Sequence, residues 1–112
     1  MSKANRKRAL ADPAPVFAAL GDTTRLKLIS RLTDGQARSI AQLADGLSLT
    51  RQGVTKHLRV LERAGIVKSR FVGRESQFTY APEPIRHVRS YLDTVSVQWD
   101  EALSRLKAFV ES

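Results

Sequence analysis

Apolar positions along the chain recur first at helical spacing, then alternate, then return to helical spacing for one long final stretch. Pro13 and Pro15 suit the first turn of a helix carrying Val16, Phe17 and Leu20, which Gly21 stops. Asp22 is placed to cap a second helix, in which Leu26, Ile29 and Leu32 recur and Leu28 broadens the stripe, before Asp34-Gly35 breaks it. Ser39 with Gln42 three residues on has capping-box spacing and opens a short third helix with Ile40, Leu43 and Ala44 inward. After a tight turn at 46–49, Thr50 caps a fourth helix, Arg51 to Ala64, with Gly65 at its left-handed exit. Val54, Leu58 and Leu61 form its inner stripe, with His57 beside them as a packed, hydrogen-bonded structural residue.

Beyond Gly65 the alternation of Ile66 to Val72 and of Ser76 to Tyr80 predicts a β-hairpin with a loop of a few residues about Gly73. Phe71, Phe78 and Tyr80 read as its core and cross-strand residues. From Ile85 to Phe109 the apolar residues Ile85, Val88, Leu92, Val95, Trp99, Ala102, Leu106 and Phe109 keep an unbroken alternation of three- and four-residue steps. Such a heptad seam, on a helix of roughly 40 Å, exceeds what a small core can cover. The helix packs either within its own chain or against a second copy. Its length favours a two-fold dimer joined through Val88, Leu92, Val95, Trp99 and Leu106.

Charge divides the chain in the same place. Residues 1–82 carry 15 Lys/Arg against six Asp/Glu, residues 83–112 four against five. A basic body attracts polyanions, and counterion release from nucleic acid is the usual source of such affinity. On the fourth helix Arg51, Gln52, Thr55, Lys56 and Arg59 share the outward face. Short helix, turn, longer helix and hairpin, in that order, predict a mainly α winged helix-turn-helix with a small β-hairpin and a long C-terminal dimerisation helix. The major groove of duplex DNA accepts one helix, with Arg preferring guanine and Gln adenine. Arg51 and Gln52 are therefore the expected base readers, with Thr55, Lys56 and Arg59 on bases or phosphates and Arg70 and Arg74 of the hairpin on backbone or minor groove. The implied division is a basic arm over 1–12, a DNA-binding domain over 13–82 and the dimerisation helix over 83–112.

The run LADGLSLTRQGVTKHLRVLERAGIVKSRFVGRESQFTY resembles the helix-turn-helix and wing of ArsR-type transcriptional repressors. The likeness rests on Leu43-Ala44, Leu49-Thr50-Arg51, Val54-Thr55, His57-Leu58, Leu61, Ala64-Gly65-Ile66-Val67 and Gly73-Arg74, and FAALGDTTRLKLISRL extends it upstream. It implies a homodimer that binds a palindromic operator in double-stranded DNA and blocks transcription. The sequence departs from the family's metal sensors: where they carry a cysteine pair before the recognition helix, this chain has Ser39 and Ala41, and it has no cysteine anywhere. His87 with scattered carboxylates on the last helix supplies too few imidazoles for zinc. No metal or cofactor is expected, and the sequence leaves room for a small-molecule effector without identifying one.

Other classes fare less well. No paired carboxylates in an apolar setting, Gly-rich phosphate loop or Ser-His-Asp pattern supports an enzyme. A winged-helix protein–protein adaptor would show an apolar patch where the Arg/Gln/Thr/Lys/Arg face lies, and a sequence-tolerant RNA binder would show aromatic platforms. Absence of a signal-peptide pattern or membrane-spanning run leads to the expectation of a cytoplasmic protein with no membrane partner.

Overall fold

The computed structural model describes residues 12–112, so the basic arm expected over 1–12 lies, except for Asp12, outside the described residues. Among the described residues, five helices and three strands follow one another as α1 (Ala14–Leu20), α2 (Thr23–Ser30), β1 (Arg38–Ser39), α3 (Ile40–Ala44), α4 (Arg51–Arg63), β2 (Val67–Val72), β3 (Glu75–Tyr80) and α5 (Glu83–Glu111). This is a winged helix-turn-helix, mainly α, ending in a long helix.

Local capping chemistry sets the helix starts. The Asp22 carboxylate accepts from the Arg25 backbone N–H at 3.0 Å to open α2. Ser39 and Gln42 form a reciprocal capping box at α3. The Thr50 hydroxyl accepts from the Gly53 N–H at 3.0 Å to open α4. At the end of α4, Gly65 takes φ 78°, its N–H donates to Glu62 O, and the Ile66 N–H reaches back to Leu61 O. That is a Schellman exit, and only glycine adopts this φ without strain.

The core joins apolar residues of the five helices and of β2 and β3. Leu28, Leu32, Leu43, Val54, Leu58, Leu61, Ile66, Val67 and Phe78 are fully buried, with Val16, Ala19, Ile29 and Val88 around them. Leu28 and Ile29 of α2 are buried, as is Leu32 in the turn just past its end, while Leu26, expected inside, is exposed. Residues two apart on a helix point about 200° away from each other, so Leu26 and Leu28 could not both face inward.

The sheet is antiparallel, in the order β1-β3-β2, with Ser69 opposite Phe78 and Val72 opposite Glu75. The pairing of Val72 with Glu75 leaves Gly73-Arg74 as a two-residue turn, shorter than the loop the sequence suggested. Gly73 alone has positive φ, 65°, which matches a type II′ hairpin turn. The strand β1, which pairs Arg38 with Phe78 and Ser39 with Gln77, was not expected. Phe71 is also a correction: it is 77% exposed and belongs to no core.

Helix α5 begins inside the fold and leaves it. Pro84 and Val88 are buried and Ile85 packs on the core, but Leu92, Trp99, Leu103, Leu106, Phe109 and Val110 are exposed and Val95 is half-buried. Val88 thus leaves the expected seam between copies, because the core of its own chain already covers it. Near that exit the rings of Phe17 and Tyr91 meet edge-on, centroids 6.1 Å apart, so α1 and α5 present a shared apolar side.

Candidate nucleic-acid interface

Five of the seven polar residues predicted to face DNA come together. The open trough, about 710 Å³, is lined by Ser39, Ile40 and Ala41 at the start of α3, by Arg51, Gln52, Thr55 and Lys56 of α4, and by Arg74, Glu75 and Ser76 of the wing. Arg51, Gln52 and Lys56 are exposed, at the N-terminal end of a helix whose other side is clamped by Val54, Leu58 and Leu61. Thr55 is half-buried, and its hydroxyl donates to Arg51 O at 2.7 Å, leaving oxygen lone pairs and a methyl for a ligand. The lining carries three cations, Arg51, Lys56 and Arg74, against one carboxylate, Glu75, with apolar surface from Ile40 and Ala41, and its open shape suits an extended polyanion better than an enclosed small molecule.

Arg59 and Arg70 lie outside that group. The Arg59 Nη1 donates to Glu62 Oε1 at 2.8 Å, and its guanidinium lies 5.7 Å from the centroid of the buried Phe78 ring. Glu62 also accepts from the Ser69 hydroxyl on β2. That hydroxyl, with the Arg59 guanidinium, holds the Glu62 carboxyl below its ordinary range against the opposing effect of burial. Arg59 is therefore part of the joint that fixes the wing to α4. Arg70 pairs with Gln77 across the hairpin and, one residue along from Ser69, points to the opposite side of the sheet from Ser69 and Phe78.

Two arginines that sequence patterning did not single out set the angle between the helices. Arg25 donates through Nε to Ala19 O at 2.6 Å and through Nη2 to Ala18 O at 3.3 Å, satisfying carbonyls at the end of α1. Its Nη1 lies 3.1 Å from His57 Nδ1 on α4. A guanidinium only donates, so this contact is a hydrogen bond where Nδ1 carries no proton. The Asp22 carboxylate, 3.7 Å from the same ring nitrogen, is held below its usual range first by the Arg25 backbone N–H and then by His57 and Arg25. Arg31 donates to Leu43 O at 2.8 Å and Asp45 O at 2.6 Å, closing the end of α3. The only sequence signal for either would have been a basic residue near helix termini rich in unsatisfied carbonyls.

Nothing in the trough has the makings of a metal centre. Ser39 is buried and spent on capping, and among the described residues no three His, Cys, Asp or Glu side chains gather as metal ligands. No helix among them is long and apolar enough to cross a membrane.

Comparison with known proteins agrees with this fold. Residues 20–70 match a helix-turn-helix domain family. The chain is 30% identical over 100 residues to the HTH-type transcriptional regulator Rv2034 of Mycobacterium tuberculosis, covering 89% of this chain and 90% of that one. Among solved structures, an ArsR-like transcriptional regulator from Rhodococcus sp. RHA1 is 32% identical with a TM-score of 0.74, covering 94% of this chain and 95% of the other. A homodimeric winged helix-turn-helix DNA-binding domain from Mycobacterium bovis, Mb0332, is 25% identical with a TM-score of 0.61, covering 91% and 93%. With the fold, the cysteine-free start of α3 and these relatives in agreement, the chain belongs to the ArsR-type family of winged helix-turn-helix transcriptional regulators.

Proposed function

We propose that this regulator binds a palindromic operator in double-stranded DNA as a homodimer and represses transcription by occupying it, acting in the cytoplasm without metal, cofactor or catalysis. The observation that carries the reading is the trough, where Arg51, Gln52 and Lys56 of α4 and Arg74 of the wing converge on one open surface. Arg51 and Gln52 read base edges in the major groove, Lys56 and Thr55 assist or hold phosphates, and Arg74 engages the backbone or the minor groove. Arg59 acts through the wing it positions, and Arg70, on the other side of the hairpin, is left to steering and distant phosphates.

The exposed side of α5, with Leu92, Val95, Trp99 and Leu106, joins two copies. The homodimeric Mb0332 domain supports this arrangement. The DNA-binding body extends past residue 82 to include Pro84, Ile85 and Val88, so the dimerising part of α5 starts near Arg89. Symmetry then requires half-sites about 34–36 Å apart or a multiple of that.

Selection of bound duplexes from a random pool by the full-length protein tests the proposal, with single strands and structured RNA as competitors at several salt concentrations. Recovery of a palindrome that outcompetes the other nucleic acids is expected. Equal, weak and salt-abolished retention of every oligonucleotide would overturn it.

A further inference from the structure

The hairpin carries one side chain that the fold leaves unexplained. Phe71 is 77% exposed, although residues of β2 that face the same way, Val67 and Ser69, are buried or half-buried. Directly opposite residues of an antiparallel pair project to the same face. Phe71 is opposite Ser76, which lines the trough, and Ser69 is opposite the buried Phe78. The inner face of the wing therefore starts in the core at Phe78 and ends, one pair short of the Val72–Glu75 pair that precedes the turn, in an uncovered aromatic ring opposite Ser76.

Its neighbours identify the ligand. Arg74 is three residues on at the turn and the whole segment 1–82 is strongly basic, while Arg70, next in sequence, lies on the opposite face of the hairpin. The other exposed apolar residue here, Val72, points to the opposite face by strand alternation, so the two do not merge into a patch for a protein partner. A single apolar side chain close to an arginine-bearing turn on a basic body is the composition of a minor-groove wedge, where an apolar group enters a base step while basic side chains hold the phosphates and the groove.

We propose that Phe71 is such a wedge: when α4 lies in the major groove, the wing enters the adjoining minor groove and Phe71 presses into a base step, bending the duplex. The inference rests on the DNA-binding reading above and adds a second source of specificity to it. Pyrimidine–purine steps unstack most easily, so the wing should select TA or CA at a position that α4 never touches.

The test uses the full-length protein, the duplex selected above labelled at both ends for energy transfer, and the variants Phe71→Ser and Phe71→Leu. Both changes fall on an exposed side chain, and circular dichroism confirms folding. Phe71→Ser is expected to straighten the bound duplex, to abolish the preference at the wing step, and to weaken binding roughly tenfold, within the range of one stacked aromatic. Phe71→Leu should keep most of the bend, while discrimination at the Arg51 and Gln52 positions survives in both. An unchanged bend and step preference in Phe71→Ser overturns the wedge and leaves the operator-binding reading standing. A shifted monomer–dimer equilibrium with unaltered duplex binding also overturns it, by assigning Phe71 to a second copy. Failure of the wild type to select any duplex removes both proposals together.

Discussion

Replacing Trp99 by Glu separates the two roles of α5. The ring is 64% exposed, and a tryptophan side chain offers up to about 250 Å², so roughly 150 Å² remains for a partner to cover. At about 25 cal/mol per Å² this is up to ~4 kcal/mol per copy, and two-fold symmetry brings the residue into the interface twice. Association entropy and imperfect packing reduce the yield, but even half of it comes to ~4 kcal/mol per dimer, roughly a thousandfold in the dimer dissociation constant. Sedimentation equilibrium over a concentration series reads that shift. Operator affinity should fall with it, because each monomer then holds a single half-site. The thermal midpoint of the isolated monomer should stay where it is, since Trp99 is absent from the core. A Trp99→Glu protein that sediments as a dimer as tight as the wild type refutes the seam. A variant that simply unfolds would contradict the exposure of the ring.

The other predictions concern the body of the protein. Val88→Ala should lower unfolding free energy by about 2 kcal/mol in denaturant titration while barely moving the dimer constant, because Val88 is buried in its own chain. Arg51→Ala or Gln52→Ala should relax base preference at one position of each half-site at ~1–3 kcal/mol, whereas Arg74→Ala should weaken all duplexes alike, as measured by competition binding. Glu62→Gln should cost about 1–2 kcal/mol of stability and speed amide exchange in β2, since the acceptor shared by Arg59 and Ser69 loses its charge. Acid should also destabilise the fold in a defined window. The Arg38 side chain, with the Gln36 N–H, holds the Asp34 carboxyl down to about 2, so the unfolded chain takes up that proton first. The resulting stabilisation is complete above about pH 4 and fades as pH falls towards 2. Asp34→Asn should flatten the pH dependence of the unfolding midpoint across that interval.

What the sequence disclosed was local. The Asp22, Ser39–Gln42 and Thr50 caps and the Gly65 exit depend on residues within a few positions of one another, so each could be read from spacing alone. The features that escaped depend on distant parts of the chain. Two residues, Arg38 and Ser39, carry no periodic signal, and they become a strand only because β3 lies beside them. Arg59 sits on the outward arc of its helix but finds Glu62 and Phe78 there once the hairpin folds back. Val88 fits the heptad as well as Leu92 does, and only the path of the first turns of α5 over the core tells them apart. For the site, patterning located the trough through Arg51, Gln52, Thr55, Lys56 and Arg74, but it could not show that strand alternation turns Arg70 away and leaves Phe71 uncovered.

The division of α4 into a clamped side and an unencumbered one also bears on how such a regulator changes its targets. Among the described residues, the side chains of Arg51, Gln52 and Lys56 form no hydrogen bond or ion pair within the fold, whereas those of His57, Arg59 and Glu62 do. On the operator-binding reading proposed above, mutations at the first three rewrite which genes are addressed without eroding the scaffold. A lineage carrying this architecture is free to drift to new operators one letter at a time.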